Sequence, residues 1–295
     1  MTRSPNPRTR KACVMGYRVA YSRSPLIHNH WLRELGLQGA YELMDIAPEA
    51  FGGFFRNLAG RGYVGGNITT PHKDAAFRLV DDREGAAEAI GAVNTVWYEG
   101  DRLVGGNTDY LGFLANLDES ASASGDHGPA VVIGAGGAAR AVVYALLERG
   151  WNVAVVNRTP AKADALVERF GRRVTAHPLA GLERLLPQAR LLANATSLGA
   201  IGQPSLEIDL KLLHRDAVVC DFNYVPLKPP LLRAAELRGL RIADGLGMLM
   251  HQAVPGFARW FGKWPRVTPG LRSLLEADIR AKTGTSIGAG SSTGG

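Results

Sequence analysis

Residues 131–140, V-V-I-G-A-G-G-A-A-R, restrict the fold more than any other part of this 295-residue chain. The pattern predicts a strand, a glycine-rich turn and a helix in direct succession. Gly134, Gly136 and Ala139 have the G-x-G-x-x-A spacing. The first glycine permits the tight turn, the second lets a pyrophosphate approach the backbone, and the small third residue lets helix pack on strand. The helix, residues 137–149, then aims unpaired N–H groups and its positive dipole end at the phosphates. Gly134, Ala135, Gly136, Gly137 and Ala138 are therefore candidate cofactor contacts. A second strand follows in W-N-V-A-V-V and ends at Asn157, Arg158 and Thr159. An NAD site ordinarily places an acid there for the ribose 2′-hydroxyl. A guanidinium suits a 2′-phosphate instead, so the residues point to NADP.

The length favours two domains, each with its own core. A hydrophobic fraction of 46% and a charged fraction of 21% are those of an ordinary globular chain. No apolar run approaches the roughly 20 residues that span a bilayer. The opening M-T-R-S-P-N-P-R-T-R-K has no apolar core of the kind a secretory signal needs. Neither nucleic acid nor membrane is expected as a partner, because the net charge of +7 is concentrated at the ends. Arg3, Arg8, Arg10 and Lys11 supply four charges and Lys282 one, which leaves the body at about +2. Cys13 and Cys220 form no C-x-x-C pair, and buried free thiols in a reducing, cytoplasmic compartment are expected. His28 and His30 stand two apart, a spacing that puts no two ligands on one helix face, so no metal site is expected.

From residue 12 to about 114, strand and helix alternate, which predicts a mostly parallel, covered sheet. Residues 91–98 run into a hairpin closed by E-G-D. The small, polar segment 119–128 reads as a connection, and a second α/β unit follows. Its strands are expected near 131–133, 153–156, 191–193 and 217–221. The predicted fold is thus α/β with two domains: 12–118 for the substrate and 129–245 as a Rossmann domain for NADP, with a cleft between them. The helices within 246–280 are expected to pack back on the first domain, and 1–11 and 283–295 to be flexible tails.

Short polar clusters stand at the ends of predicted elements: S-R-S-P at 22–25, N-I-T-T-P-H-K at 67–73, G-A-V-N-T at 91–95 and N-T-D at 107–109. With the glycine turn at 134–138, N-R-T at 157–159, N-A-T-S at 194–197 and D-G-L-G-M-L-M-H-Q at 244–252, they make eight ordered motifs. In that order they closely resemble the shikimate dehydrogenase family, over about residues 13–280.

The resemblance implies reversible, NADPH-dependent reduction of 3-dehydroshikimate to shikimate, a small anionic substrate, by a monomer or homodimer. In its terms Ser22 and Ser24 hold the substrate carboxylate with Tyr224 nearby. Thr69, Asn94 and Gln252 bind ring hydroxyls, and Lys73 and Asp109 form the catalytic pair. Thr196, Phe222, Gly245 and Met248 are expected beside the cofactor. The chemistry agrees: a carbonyl that accepts hydride becomes an alkoxide and needs a proton or positive charge within reach. Lys73 supplies both, and Asp109 would orient the ammonium.

Taken singly, each residue has an ordinary reading. Lys73 reads as a solvated helix start, Asp109 and the serines as caps, and Gln252 as a peripheral contact. The ordered set decides otherwise. Departures from the family include Tyr21, where a His usually precedes S-x-S-P, and Tyr110, where a Gly usually follows N-T-D. Tyr21 is the one hint of a first alternative, a quinate or aminoshikimate dehydrogenase relative; a second, a catalytically weak NADP-binding regulatory protein, would be signalled by loss of Lys73 or Asp109, and both are present.

Overall fold

The computed structural model describes residues 9–121 and 128–288. They fall into two compact units, Met1–Thr108 with Ala253–Val267, and Asp109–Gln252 with Thr268–Gly295.

The first unit contains β1 (Arg10–Gly16), α1 (Ser24–Glu34), β2 (Gly39–Asp45), α2 (Pro48–Arg56), β3 (Tyr63–Ile68), α3 (Lys73–Leu79), β4 (Asp82–Arg83), α4 (Gly85–Ile90), β5 (Thr95–Glu99) and β6 (Arg102–Gly106). The six strands are ordered β2-β1-β3-β5-β6-β4. β1 runs parallel to β2 and β3, whereas β5 is antiparallel to both β3 and β6. The sheet is therefore mixed, because the hairpin read at 91–101 reverses one strand. One face buries Met15, Phe51, Phe55, Ile68 and Val96. An aromatic group of Trp31, Tyr41, Phe257 and Trp260, with His28 at its centre, makes a separate buried cluster.

The second unit holds α5 (Asp109–Ala121), β7 (Ala130–Ile133), α6 (Gly137–Glu148), β8 (Val153–Asn157), α7 (Pro160–Phe170), β9 (Val174–Pro178), α8 (Leu182–Leu185), β10 (Leu191–Asn194), β11 (Val218–Asp221), α9 (Pro230–Leu237) and β12 (Arg241–Asp244). All six strands are parallel, in the order β12-β11-β10-β7-β8-β9. Strand pleating sends alternate residues to opposite faces. Val132, Val155, Ala193 and Cys220 join one core, with side chains of α5, α6 and α7. Val131, Val156, Leu192 and Val219 join the other, with side chains of α8 and α9. Both faces are covered, which is why these strands read as unbroken apolar runs. The chain order reverses between β7 and β10, the switch point at which doubly wound sheets bind ligands beyond the strand ends.

Two helices complete the chain, α10 (Gly245–Phe261) and α11 (Pro269–Gly288). Here the structure differs from the expected limits. Residues from Ala253 to Val267 cluster with the first unit, but α11 clusters with the second. There Arg272 donates to the Asp244 carboxylate at the end of β12, and Leu271, Leu275 and Ile279 are buried. The first unit ends at Thr108 instead of 118, because α5 packs on α6 and β12. Arg10 and Lys11, expected in a tail, are the first residues of β1, and Lys11 pairs with Glu42 at 3.0 Å. α5 also takes in 119–121 of the expected connection, and α11 runs past 283 to Gly288. The rest of the two expected tails, 1–8 and 289–295, lies outside the described residues. No helix among the described residues is long and apolar enough to cross a membrane.

Candidate active site

In the first unit the strand register determines where the polar clusters emerge. Met15 is opposite Ile68, Asn67 opposite Thr95, and Thr95 opposite Gly106. The segments after β1, after β3, before β5 and after β6 therefore leave the sheet from one edge. That edge brings Ser22, Ser24, Thr69, Lys73 and Asn94 into one region of the unit.

Ser24 opens α1 and is buried, and its backbone N–H and the Ser22 hydroxyl share a 3.3 Å contact. The two hydroxyl oxygens are also 3.3 Å apart. Pro25 tolerates the first turn because its missing N–H would have no intrahelical partner there. Thr69 is tied to β1 by its own N–H, which donates to Met15 O at 2.9 Å. Lys73 is the first residue of α3 and is half-buried; its carbonyl accepts from Val93 N at 3.3 Å. His72 beside it is buried, stacks on Phe51 at 4.2 Å, and has Nε2 2.8 Å from Ile46 O. That anchor fixes the turn that presents Lys73.

Asn94 lies in a buried polar network. Its Oδ1 accepts from Thr108 N at 2.7 Å and from Thr95 Oγ1 at 2.9 Å, and its Nδ2 donates to Thr108 Oγ1 at 3.1 Å. Asn67 extends the network, donating to Thr95 Oγ1 at 3.0 Å and accepting from the Tyr41 hydroxyl at 2.6 Å. In a low-dielectric interior such a connected set holds each amide in one orientation.

The second unit carries the other candidates. Asp109 follows Thr108 directly, opens α5 and is 6% exposed. Lys73 and Asp109 thus belong to different compact units. Gly134 has φ +111°, a region L side chains rarely adopt, and a Cβ there would lie 3.1 Å from Thr196 Cγ2 and 3.2 Å from Ala195 O. Gly136 caps α6 in extended backbone, with nothing within 4 Å of where a Cβ would sit. Ala135, Gly137 and Ala138 are partly exposed around it, while Ala139 is fully buried against the core. An open backbone turn at a helix N-terminus fits a dinucleotide pyrophosphate. Arg158 is exposed at the end of β8, and Asn157 Nδ2 donates to Thr159 O at 2.8 Å to close the turn that carries it. A 2′-phosphate matches that exposed guanidinium.

Phe222 packs edge-on to Phe113 and is partly exposed, as is Tyr224. Met248 is 8% exposed and belongs to the core on the α5 face. Gln252 is buried and donates to Leu249 O at 3.1 Å. Among the described residues no three His, Cys, Asp or Glu side chains gather as metal ligands would. Cys13 and Cys220 are both buried free thiols, and burial pushes the Cys220 thiol up to about 12.

Comparison with known proteins adds to this geometry. The family profile described as shikimate dehydrogenase substrate binding domain matches residues 14–96, and that described as shikimate/quinate 5-dehydrogenase matches 118–201. A Mesorhizobium japonicum protein named shikimate dehydrogenase (NADP(+)) is 52% identical over 93% of this chain and 98% of its own. The chain belongs to the shikimate dehydrogenase family. The Thermus thermophilus shikimate 5-dehydrogenase, solved with NADP(H) and shikimate, superposes with a TM-score of 0.81 at 39% identity. That match covers 92% of this chain and 99% of the other. The quinate dehydrogenase of Corynebacterium glutamicum, solved with NAD, superposes with a TM-score of 0.82 at 28% identity, covering 92% and 99%. Backbone shape alone therefore does not separate the two members.

The two departures from the shikimate dehydrogenase pattern fall differently. Tyr21 is 53% exposed. Tyr110 is half-buried and packs edge-on to Tyr144 of α6, 5.1 Å between centroids, so this bulk is taken up by helix packing. Sequence reading gave no role of their own to Asn67, Thr95 and Thr108, which hold Asn94, to Tyr41, which holds Asn67, or to His72, which anchors α3. Asn67 was visible only as part of N-I-T-T-P-H-K; nothing in the sequence pairs Tyr41 with it.

Proposed function

We propose that this protein reduces 3-dehydroshikimate to shikimate with NADPH, reversibly, in the route to chorismate and the aromatic amino acids. The observation that carries this reading is the single sheet edge from which Ser22, Ser24, Thr69, Lys73 and Asn94 emerge. The hydroxyls of Ser22 and Ser24, with Tyr224, suit a carboxylate, and Thr69, Asn94 and Gln252 suit ring hydroxyls. Lys73 delivers the proton from Nζ to the oxygen that gains negative charge, and Asp109 orients that ammonium. When bound, NADPH supplies the hydride. The backbone of residues 134–138 holds its phosphates, and Arg158, with Asn157 and Thr159 shaping the turn, selects the 2′-phosphate. Thr196, Phe222, Gly245 and Met248 stand at or behind the strand ends on the cofactor side.

Buried free thiols agree with a reducing, cytoplasmic location, and a monomeric or homodimeric state is carried over from the resemblance. The test is a spectrophotometric assay of purified protein with shikimate against quinate, and with NADP against NAD. Shikimate with NADP is expected to give the highest kcat/KM. Preference for quinate with NAD would move the protein to the second reading, which the exposed phenol of Tyr21 alone favours.

A further inference from the structure

β11 is an apolar strand, V-V-C-D, that ends in a carboxylate with no solvent exposure. Among the described residues the hydrogen-bond partners of Asp221 are all N–H donors. Its Oδ2 accepts from Asn194 Nδ2 at 3.0 Å, and its Oδ1 accepts from Asn223 N at 2.9 Å and Asn223 Nδ2 at 2.8 Å. Asn194 ends β10 and is equally buried. Its Oδ1 accepts from Thr196 N at 3.1 Å and Thr196 Oγ1 at 2.7 Å, and its Nδ2 also donates to Leu198 O at 2.9 Å. Asn223 reaches the same loop from the other side, donating to Thr196 O at 3.1 Å and Leu198 O at 3.0 Å.

Two loops that leave adjacent strands are thereby tied together through one carboxylate. The tie extends to the glycine turn: Ala195 N donates to Ile133 O at 2.9 Å, and Thr196 and Ala195 pack over Gly134. Both loops lie at the carboxyl ends of the central strands, beside the switch point. We propose that Asp221 is a positioning residue for the cofactor, its carboxylate clasped by Asn194 and Asn223 so that the Thr196 loop is held against the glycine turn. This rests on the reading of that turn as an NADP site.

A carboxylate fits because each of these hydrogen-bond partners donates. An amide at 221 would put its NH2 against either Asn194 Nδ2 or Asn223 N–H. Turning the Asn194 amide to relieve the first conflict would set its NH2 against the N–H of Thr196. A buried donor left without an acceptor is expensive, and the loops would move to satisfy it.

The experiment is a titration of the purified full-length protein with NADPH, followed by nucleotide fluorescence, for wild type, Asp221→Asn and Asn223→Ala. Asn223→Ala removes the side-chain ties to Thr196 O and Leu198 O, keeps the backbone donor to Asp221, and reports even where Asp221→Asn does not fold. The expected result is a Kd for NADPH raised about tenfold in each folded variant. In turnover, KM for NADP should rise while KM for shikimate stays within about twofold. A purely structural defect would lower the active fraction, and hence kcat, and leave KM for NADP where it was. An unchanged Kd in folded variants beside a wild type that binds NADPH overturns the clasp alone. A wild type that does not bind NADPH overturns the cofactor reading together with it.

Discussion

His28 lies flat against Tyr41, with ring centroids 4.0 Å apart and planes 15° from parallel. Trp31, Phe257 and Trp260 surround the imidazole, which has no solvent exposure, and burial lowers its pKa to about 3 from an ordinary 6.5. It therefore stays neutral in the folded protein, while the unfolded chain takes up a proton as pH falls below about 6.5. In that window the unfolded state binds more protons, so stability falls with falling pH, by at most about 1.4 kcal/mol per unit. Replacing His28 with Phe keeps the stack and removes the titration. Between about pH 6.5 and pH 5 the wild type should lose roughly 1.5 kcal/mol more than His28→Phe, read from urea midpoints. Equal losses would show that His28 is protonated in the fold or accessible to water.

Two glycines assigned to the proposed cofactor site make opposite predictions. A Cβ on Gly245 would lie 2.4 Å from Phe222 O and 2.8 Å from Asn223 O, both backbone atoms that cannot step aside. Gly245→Ala should lower stability by about 1–3 kcal/mol, measured by denaturation. Gly136 has open space at the same position and an ordinary φ of −83°. Gly136→Ala should cost no more than the loss of a helix cap, about 1 kcal/mol, and weaken NADPH on the order of tenfold, about 1.4 kcal/mol, because the methyl group intrudes on the pyrophosphate. Normal NADPH binding by Gly136→Ala would place the phosphates elsewhere.

The doubly wound unit was legible because its strands are short apolar runs and its glycine turn joins one of them to a helix. Two of its strands escaped. Val174–Pro178 and Arg241–Asp244 are edge strands with exposed or half-buried residues, so they carry no continuous apolar signal. In the first unit the motifs marked the sheet edge because they stand in a fixed order at the ends of predicted strands; singly, each polar residue reads equally well as a cap or a turn. The supporting contacts were not legible: Tyr41 and Asn67 are 26 positions apart, and only the parallel pairing of β1 with both β2 and β3 brings them within 2.6 Å. The course of α11 was hidden for a similar reason. Its stripe of Leu271, Leu275 and Ile279 shows that it is buried, but the partner it is buried against, marked by the ion pair of Arg272 with Asp244, is not written in the stripe.

Lys73 carries the proton in the proposed reaction, so its removal should separate chemistry from binding. Lys73→Ala deletes a half-buried ammonium and leaves the backbone link to Val93 intact. Turnover of shikimate should fall by roughly 10²–10⁴-fold, while the Kd for NADPH and the thermal midpoint stay near wild type. Turnover within a few-fold of wild type would take Lys73 out of the chemistry.

In the proposed reaction Arg158 sets the preference between nucleotides that differ by one phosphate. Its guanidinium is exposed, held on a turn that Asn157 closes through Thr159 O, so substitution should disturb no core contact. Arg158→Ala removes a charge-assisted hydrogen bond to the 2′-phosphate, which is worth about 1.5–3 kcal/mol. NADP should therefore bind roughly 10- to 100-fold more weakly, and NAD within about twofold of wild type. Because the pairing is solvent-exposed, the NADP advantage of the wild type should shrink as ionic strength rises, and that of the variant should not change. Equal weakening of both nucleotides, or a salt dependence that survives the substitution, would assign the 2′-phosphate to another cation.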